Sequence, residues 1–187
     1  MRSIAPYLPP AFGLLYRIES VLHCGADGRP RVLRVCECDT EERAAFVAKL
    51  FYDDEAAFAR ETAHLRMLKG QRCVAELKQA WAAPHRVILT HAGTPLLEYL
   101  AHIRREEGAA LPPSQLLAIV RDAGDALSAL HRRGLVHNDV KPQQAVVVGW
   151  ARRCVLVDLE AARAVGEPLP PQCTEARRAG LGVRCRQ

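Results

Sequence analysis

Between residues 113 and 158 the chain runs a strong helical pattern, a polar loop and two short apolar segments, and that order leaves few ways to fold it. Leu116, Val120, Ala123, Leu127 and Leu130 step by four, three, four and three, the spacing of an amphipathic helix over 113–133. Ser114 offers a cap at its start and Gly134 a stop at its end. After Leu135 and Val136 come a polar loop from His137 to Gln144, a strand at 145–148, a turn at 149–153, and a strand at 154–157 that ends in Asp158. A hairpin returning from the loop brings Asp139 and Asp158 to one edge of the fold, with Lys141 close by.

Upstream the pattern changes. Residues 16–23, 31–38 and 43–51 are apolar-rich segments separated by Gly25 to Gly28 and by Asp39 to Glu42, the punctuation of an antiparallel meander. Asp53, Asp54 and Glu55 place negative charge at the start of a helix over 53–69, which Lys69 and Gly70 close. A short strand at 87–89 and an amphipathic piece at 96–105 lead to the long helix. The fold class expected is therefore α+β. With 187 residues, 49% hydrophobic and 25% charged, one domain, or one domain with a small appendage, is expected and the disordered class is excluded.

Composition also narrows the partners. No run approaches the roughly 18 apolar residues of a membrane helix, and Pro6, Pro9 and Pro10 break up the N-terminal stretch, so an intracellular protein, cytoplasmic or nuclear, is expected, with no membrane partner. The net charge of +5 is spread over isolated arginine pairs and aromatic content is only 5%, which gives no strong nucleic-acid signal. Seven cysteines without a CxxC pair read as reduced thiols.

The chemistry lies in His137, Asn138, Asp139, Val140, Lys141, Pro142, Gln143 and Gln144, followed by the strand that ends in Asp158, Leu159 and Glu160. A loop carboxylate can accept a hydroxyl proton, a carboxylate at a strand end can hold Mg²⁺, and a lysine near them can neutralise a transferring phosphoryl group. At helical spacing Glu61 shares a face with Leu65 and Leu68, so it faces the protein and needs a cationic partner, for which Lys49 is the candidate.

These motifs resemble the protein-kinase superfamily, whose catalytic loop reads H-R-D-L-K-P-x-N and whose metal aspartate follows a hairpin. Val47, Ala48 and Lys49 look like its V-A-I-K lysine, and Arg60 to Leu68 like the helix whose glutamate pairs with that lysine. The resemblance covers about residues 15–162. Several details, among them H-N-D and the run Ala145 to Val148, are similar to the short kinase-like proteins of mushroom-forming fungi.

What the resemblance implies is a two-lobed kinase-like domain over 15–162, with an N-lobe at about 15–92 of antiparallel sheet plus one helix. A reduced, mainly helical C-lobe would occupy about 93–162, preceded by an extension at 1–14 and followed by a poorly ordered tail at 163–187. It implies ATP and Mg²⁺ as cofactors and a protein substrate or binding partner. Asp139 would be the catalytic base, Lys141 would act on the γ-phosphate, and Lys49, paired with Glu61, on the α- and β-phosphates. Asp158 and Gln144 would serve the metal, and Thr90, His91 and Ala92 the adenine through backbone groups.

Departures accompany the match. The glycine-rich G-x-G-x-x-G loop is absent, Gln144 stands where the family has Asn, and Leu159 and Glu160 stand where it has Phe and Gly. Asn138 replaces the usual arginine, and no A-P-E segment follows Asp158. Three readings follow: a protein-kinase-type phosphotransferase, a pseudokinase that binds without turnover, and a small-molecule kinase, against which Lys141 and Pro142 argue.

Overall fold

The computed structural model describes residues 7–38, 45–83, 86–106, 111–149 and 152–168. The first half forms a five-stranded antiparallel sheet of β1 (Tyr16–Cys24), β2 (Pro30–Glu37), β3 (Ala45–Leu50), β4 (Leu77–Trp81) and β5 (Val87–His91), in the order β1-β2-β3-β5-β4. Strand alternation sorts its two faces. In β3 the side chains of Phe46, Ala48 and Leu50 are buried on one face, while Val47 and Lys49 point to the other. Leu33, Val35, Val87 and Leu89 join the first set in one apolar cluster.

Phe12 seals that cluster. It opens the short helix α1 (Phe12–Leu15), is fully buried, and lies 5.2 Å from the Tyr16 ring and 5.6 Å from Trp81. Part of the stretch expected as an extension over 1–14 thus contributes to the core, because a phenylalanine four positions before the first strand is close enough to fold back under the sheet. Met1 to Pro6 lie outside the described residues.

Helix α2 (Glu55–Met67) starts where Asp54 accepts a hydrogen bond of 2.9 Å from the Ala57 backbone, a cap worth about 1 kcal/mol. Its buried side chains include Phe58, Glu61 and Leu65, as the helical spacing requires. Gly70, with φ of 80°, turns the chain out of it.

The second half begins with β6 (Thr94–Pro95), α3 (Leu96–Glu106) and α4 (Pro113–His131), followed by β7 (Leu135–Val136), a 3-10 turn (Pro142–Gln144), β8 (Ala145–Val148), β9 (Arg153–Leu156) and β10 (Arg163–Ala164). β6, β8 and β9 form a small antiparallel sheet. α4 departs from its expected details in two ways. Pro112 occupies the cap position with Pro113 as first helical residue, so Ser114 falls inside the first turn and caps nothing. The buried face is Ile119, Ala126, Ala129 and Leu130, whereas Leu116 and Val120 are 52% and 59% exposed. Only the C-terminal half of α4 lies in the main cluster, and there Asp122 also holds the Cys154 backbone N–H at 2.9 Å.

A backbone bridge joins the halves. Val74 pairs in parallel with Leu156, and the Leu156 N–H donates to the Cys73 carbonyl at 2.8 Å while the Ala75 N–H donates to the Leu156 carbonyl at 2.9 Å. Around it Phe58, Leu65, Leu68 and Ile88 meet Leu130, Leu135, Leu156 and Leu159 in a single cluster. Within the stretch expected as a poorly ordered tail, 163–187, the first two residues form β10, in which Arg163 pairs with Val136 and Ala164 with Leu135, because β7 leaves an edge open to a strand. The rest of that tail beyond Pro168 lies outside the described residues, as does Trp150.

Where β5 leads into β6 the chain passes close over β8. A Cβ built on Gly93 would stand 2.6 Å from Cγ1 of Val148 and 2.9 Å from the Val147 carbonyl oxygen. Gly93→Ala is expected to lower stability by about 1–3 kcal/mol through overpacking. An unchanged denaturation midpoint would show that this crossing is looser than described. Among the described residues no helix is long and apolar enough to cross a membrane.

Candidate functional site

Register across the sheet places His23 opposite Val32, Val32 opposite Lys49, and Lys49 opposite Ile88, so these four side chains form a row on one face. Lys49 points from that row into a ring of acids. Its Nζ donates to Glu61 Oε2 at 2.7 Å and to Asp158 Oδ1 at 2.7 Å, and ion-pairs with Glu160 Oε2 at 3.1 Å. Burial alone would push the Lys49 ammonium down, but the three carboxylates, Glu61 foremost, more than reverse this and hold its pKa above the ordinary lysine value. Burial pushes Glu61 the other way, up to about 7, because it shares its single cation with two competitors. Asp158 is held below the ordinary aspartate value: burial opposes ionisation, and Lys49 and the Gln144 amide outweigh it.

The loop after α4 supplies the rest. Asn138 adopts φ of 64°, a left-handed conformation that asparagine tolerates better than arginine, and its Nδ2 donates to the carbonyls of Val136 and Ala161, both at 3.2 Å. His137 is 1% exposed. The Asp139 N–H donates to its Nδ1 at 3.3 Å, which leaves the ring proton on Nε2, 3.3 Å from the Val157 carbonyl. The imidazole thus braces the loop against the strand that ends in Asp158. Asp158 itself has φ of 62°.

Between the two aspartates lies Gln144. Its Nε2 donates to Asp158 Oδ2 at 2.8 Å and to Asp139 Oδ2 at 3.0 Å, while Lys141 Nζ meets the same Asp139 oxygen at 2.7 Å. An unbroken chain of charge-assisted contacts therefore runs Glu61, Lys49, Asp158, Gln144, Asp139, Lys141. Six of the nine residues picked from the sequence are brought together in it. Gln144 is there as a donor, its nitrogen and not its oxygen facing the carboxylates.

Thr90, His91 and Ala92 stand apart. Thr90 and His91 end β5, opposite Val47 and Phe46, the His91 ring lies 4.9 Å from the Phe46 ring, and the Ala92 N–H donates to the Ala45 carbonyl at 3.0 Å. None of the three lines the cavity of about 300 Å³ beside Lys49, which is walled by His23, Arg31, Val32, Lys49, Leu50, Phe51, Asp54, Asp158 and Glu160. His23 and Arg31 were not picked from the sequence. The signal that finds them is strand register, since His23 stands two strands from Lys49 in the same row.

Titration gives one check. Burial lowers the pKa of His137 and of His64, whose ring faces the Leu159 carbonyl, below the ordinary 6.5. The unfolded chain then takes up protons near pH 6.5 that the folded chain refuses, so their contribution is full above that pH and is lost as pH falls below it. Glu61, raised from 4.5 to about 7, works in the opposite sense over that interval. In urea titrations from pH 5 to 8, His137→Gln is expected to flatten the acid-side loss of stability and Glu61→Gln to steepen it. Equal slopes in all three proteins would contradict these environments.

The comparisons with known proteins point the same way as the motif. No family model matches the chain. Over 143 residues, 70% of this chain and 20% of the relative, it is 29% identical to serine/threonine-protein kinase PknD of Mycobacterium tuberculosis. It is 31% identical over 90 residues, 44% of this chain, to serine/threonine-protein kinase PkaB of Streptomyces coelicolor, and 35% identical over 57 residues, 30% of this chain, to serine/threonine-protein kinase PknB of Mycobacterium leprae. The chain spans a fifth or less of the length of these relatives. An α+β chain with an antiparallel N-terminal sheet, it is similar over part of its length to serine/threonine protein kinases.

Proposed function

We propose that this chain is a member of the protein kinase-like superfamily and an ATP- and Mg²⁺-dependent phosphotransferase, its sheet-rich first half and helical second half acting as two lobes. The observation that carries this is Lys49, on a strand, held at 2.7 Å by Glu61 from a helix and at 2.7 Å by Asp158 from the end of a hairpin. Three separate elements converge on one ammonium, an arrangement that neither packing nor surface solvation requires.

In this reading Lys49 binds phosphate oxygens and Glu61 orients Lys49. Asp139, with Lys141 beside it, accepts the proton of the attacking hydroxyl, and Lys141 offsets the charge on the transferring group. A carboxylate oxygen suits a hard cation, and Asp158 offers one in a cluster whose acid oxygens lie within 4.8 Å of one another. Asp158 would hold Mg²⁺, which when bound neutralises phosphate charge, and Gln144 joins it only if its amide turns to present oxygen. A protein hydroxyl is the proposed acceptor.

A second reading, a kinase-like module that binds without turnover, is favoured by the Gln144 nitrogen bridging Asp139 and Asp158, where a cation would want an oxygen. Calorimetric titration with ATP, with and without Mg²⁺, on wild type and Asp158→Asn tests both. Mg²⁺-dependent binding that is lost in Asp158→Asn supports the nucleotide site, and phosphate transfer from labelled ATP then separates enzyme from binding module. A folded wild-type chain that takes up no ATP overturns the proposal.

A further inference from the structure

An ammonium has three N–H donors and no acceptor. Around Lys49 stand three carboxylates, Glu61 and Asp158 each at 2.7 Å and Glu160 at 3.1 Å. Two of the lysine's donors go to Glu61 and Asp158 and the ammonium is also ion-paired with Glu160, so an incoming phosphate competes with carboxylates already held at Lys49. Their surroundings rank them. The Glu61 side chain is 6% exposed on α2, and Asp158 is fixed on its other oxygen by Gln144 at 2.8 Å. Glu160 has the longest contact and, at 40%, the most exposed side chain of the three.

The neighbouring cavity shows what would take its place. Lys49 and Glu160 both line it and Glu61 does not. Its basic side chains are His23, Arg31 and Lys49, its acidic ones Asp54, Asp158 and Glu160. Arg31 is held in position there by Asp27 at 3.2 Å and by the Tyr52 ring at 4.7 Å. A mixed lining of this kind suits a polyphosphate that carries a divalent cation, the basic groups facing phosphate and Asp54 and Asp158 the cation. The turn joining β1 to β2 is closed on itself, the Gly25 N–H donating to the Arg29 carbonyl at 2.8 Å and the Gly28 N–H to the Gly25 carbonyl at 2.9 Å, so those two amides are already committed.

We propose that Glu160 is an internal competitor for nucleotide: its carboxylate holds the place on Lys49 that a phosphate must take, and nucleotide binds only as Glu160 swings away. This rests on the nucleotide site proposed above. Glu160 then sets the affinity of the site, and any contact that draws it off Lys49 raises that affinity.

The experiment is calorimetric titration of the full chain with Mg²⁺-ATP, comparing wild type, Glu160→Gln, Glu160→Ala and, as a control on α3, the exposed Glu98→Gln, with circular dichroism to establish that each is folded. Both Glu160 variants are expected to bind about tenfold more tightly than wild type, the effect of removing one negative charge from the side of a bound phosphate, and Glu98→Gln as wild type does. If wild type binds and the Glu160 variants bind equally well or more weakly, the competitor role is overturned while the nucleotide site stands. If none of the folded proteins binds, the nucleotide site is refuted and the competitor role with it.

Discussion

Lys49→Met is expected to lower folding stability by about 3–5 kcal/mol, the usual consequence of removing one partner from a buried ionic cluster. The lysine side chain is 19% exposed and neutralises Glu61, Asp158 and Glu160 together. Without it, three carboxylates face one another at the junction of α2, β3 and the strand end. Glu61 has an escape, since its carboxyl already titrates at about 7 and can take a proton when the cation is gone. The double variant Lys49→Met with Glu61→Gln is therefore expected to regain part of the loss, a coupling of the kind that contacting residues show. Denaturant titration at pH 7.5 measures both. A Lys49→Met protein within about 1 kcal/mol of wild type, the range of an exposed ion pair, would mean that the cluster is solvated.

Phe12→Ala is expected to be as damaging, at about 3–5 kcal/mol, the range for deleting a fully buried aromatic side chain. The ring is wholly covered and meets Tyr16 and Trp81 in tilted and edge-on contacts. Leu14 on the same short helix is 76% exposed and serves as the control, since Leu14→Ala removes no comparable packing. Similar denaturation midpoints for the two variants would place α1 outside the folded unit.

The contrast between these two sites bears on what the sequence could reveal. The ionic cluster was legible because each partner carries a chemical demand: an acid on the apolar face of a helix needs a cation, and Glu61 with Leu65 and Leu68 left Lys49 as the candidate. Phe12 carries no such demand, for a phenylalanine flanked by alanine and glycine is compatible with an exposed turn as well as with a core. β4, β6 and β10 were missed for a related reason. β4 reads Leu77, Lys78, Gln79, Ala80, Trp81, too polar to stand out, and the other two are pairs of residues whose strand character comes only from their partners β8 and β7.

α4 shows the limit of periodicity. The stripe through Leu116, Val120, Ala123, Leu127 and Leu130 established a helix, but which residues face the core depends on what packs alongside. Only its C-terminal end meets the central cluster, which buries Ala126, while Ile119 is covered by a separate cluster with Leu96, Val147 and Cys154, and Leu116 and Val120 stay exposed. At the site, the identity of the residues was legible and their orientation was not. Nothing in the letters of the sequence says that Gln144 turns its nitrogen toward both aspartates, or that Asn138 sits in a left-handed conformation where an arginine would be strained.

The ring around Lys49 also has a consequence for synthesis. Lys49 and Asp158 are 109 positions apart, and the bridge of Val74 to Leu156 likewise joins residues far apart in the sequence. A chain growing from the ribosome has the sheet and α2 in hand long before the hairpin that completes them emerges. Until then Leu65, Leu68 and Ile88 lack their apolar cover and Lys49 has Glu61 for company without Asp158 or Glu160. The nascent first half is thus the stage at which a chaperone has the most exposed surface to grip, and the same late contacts that close the core also close the site.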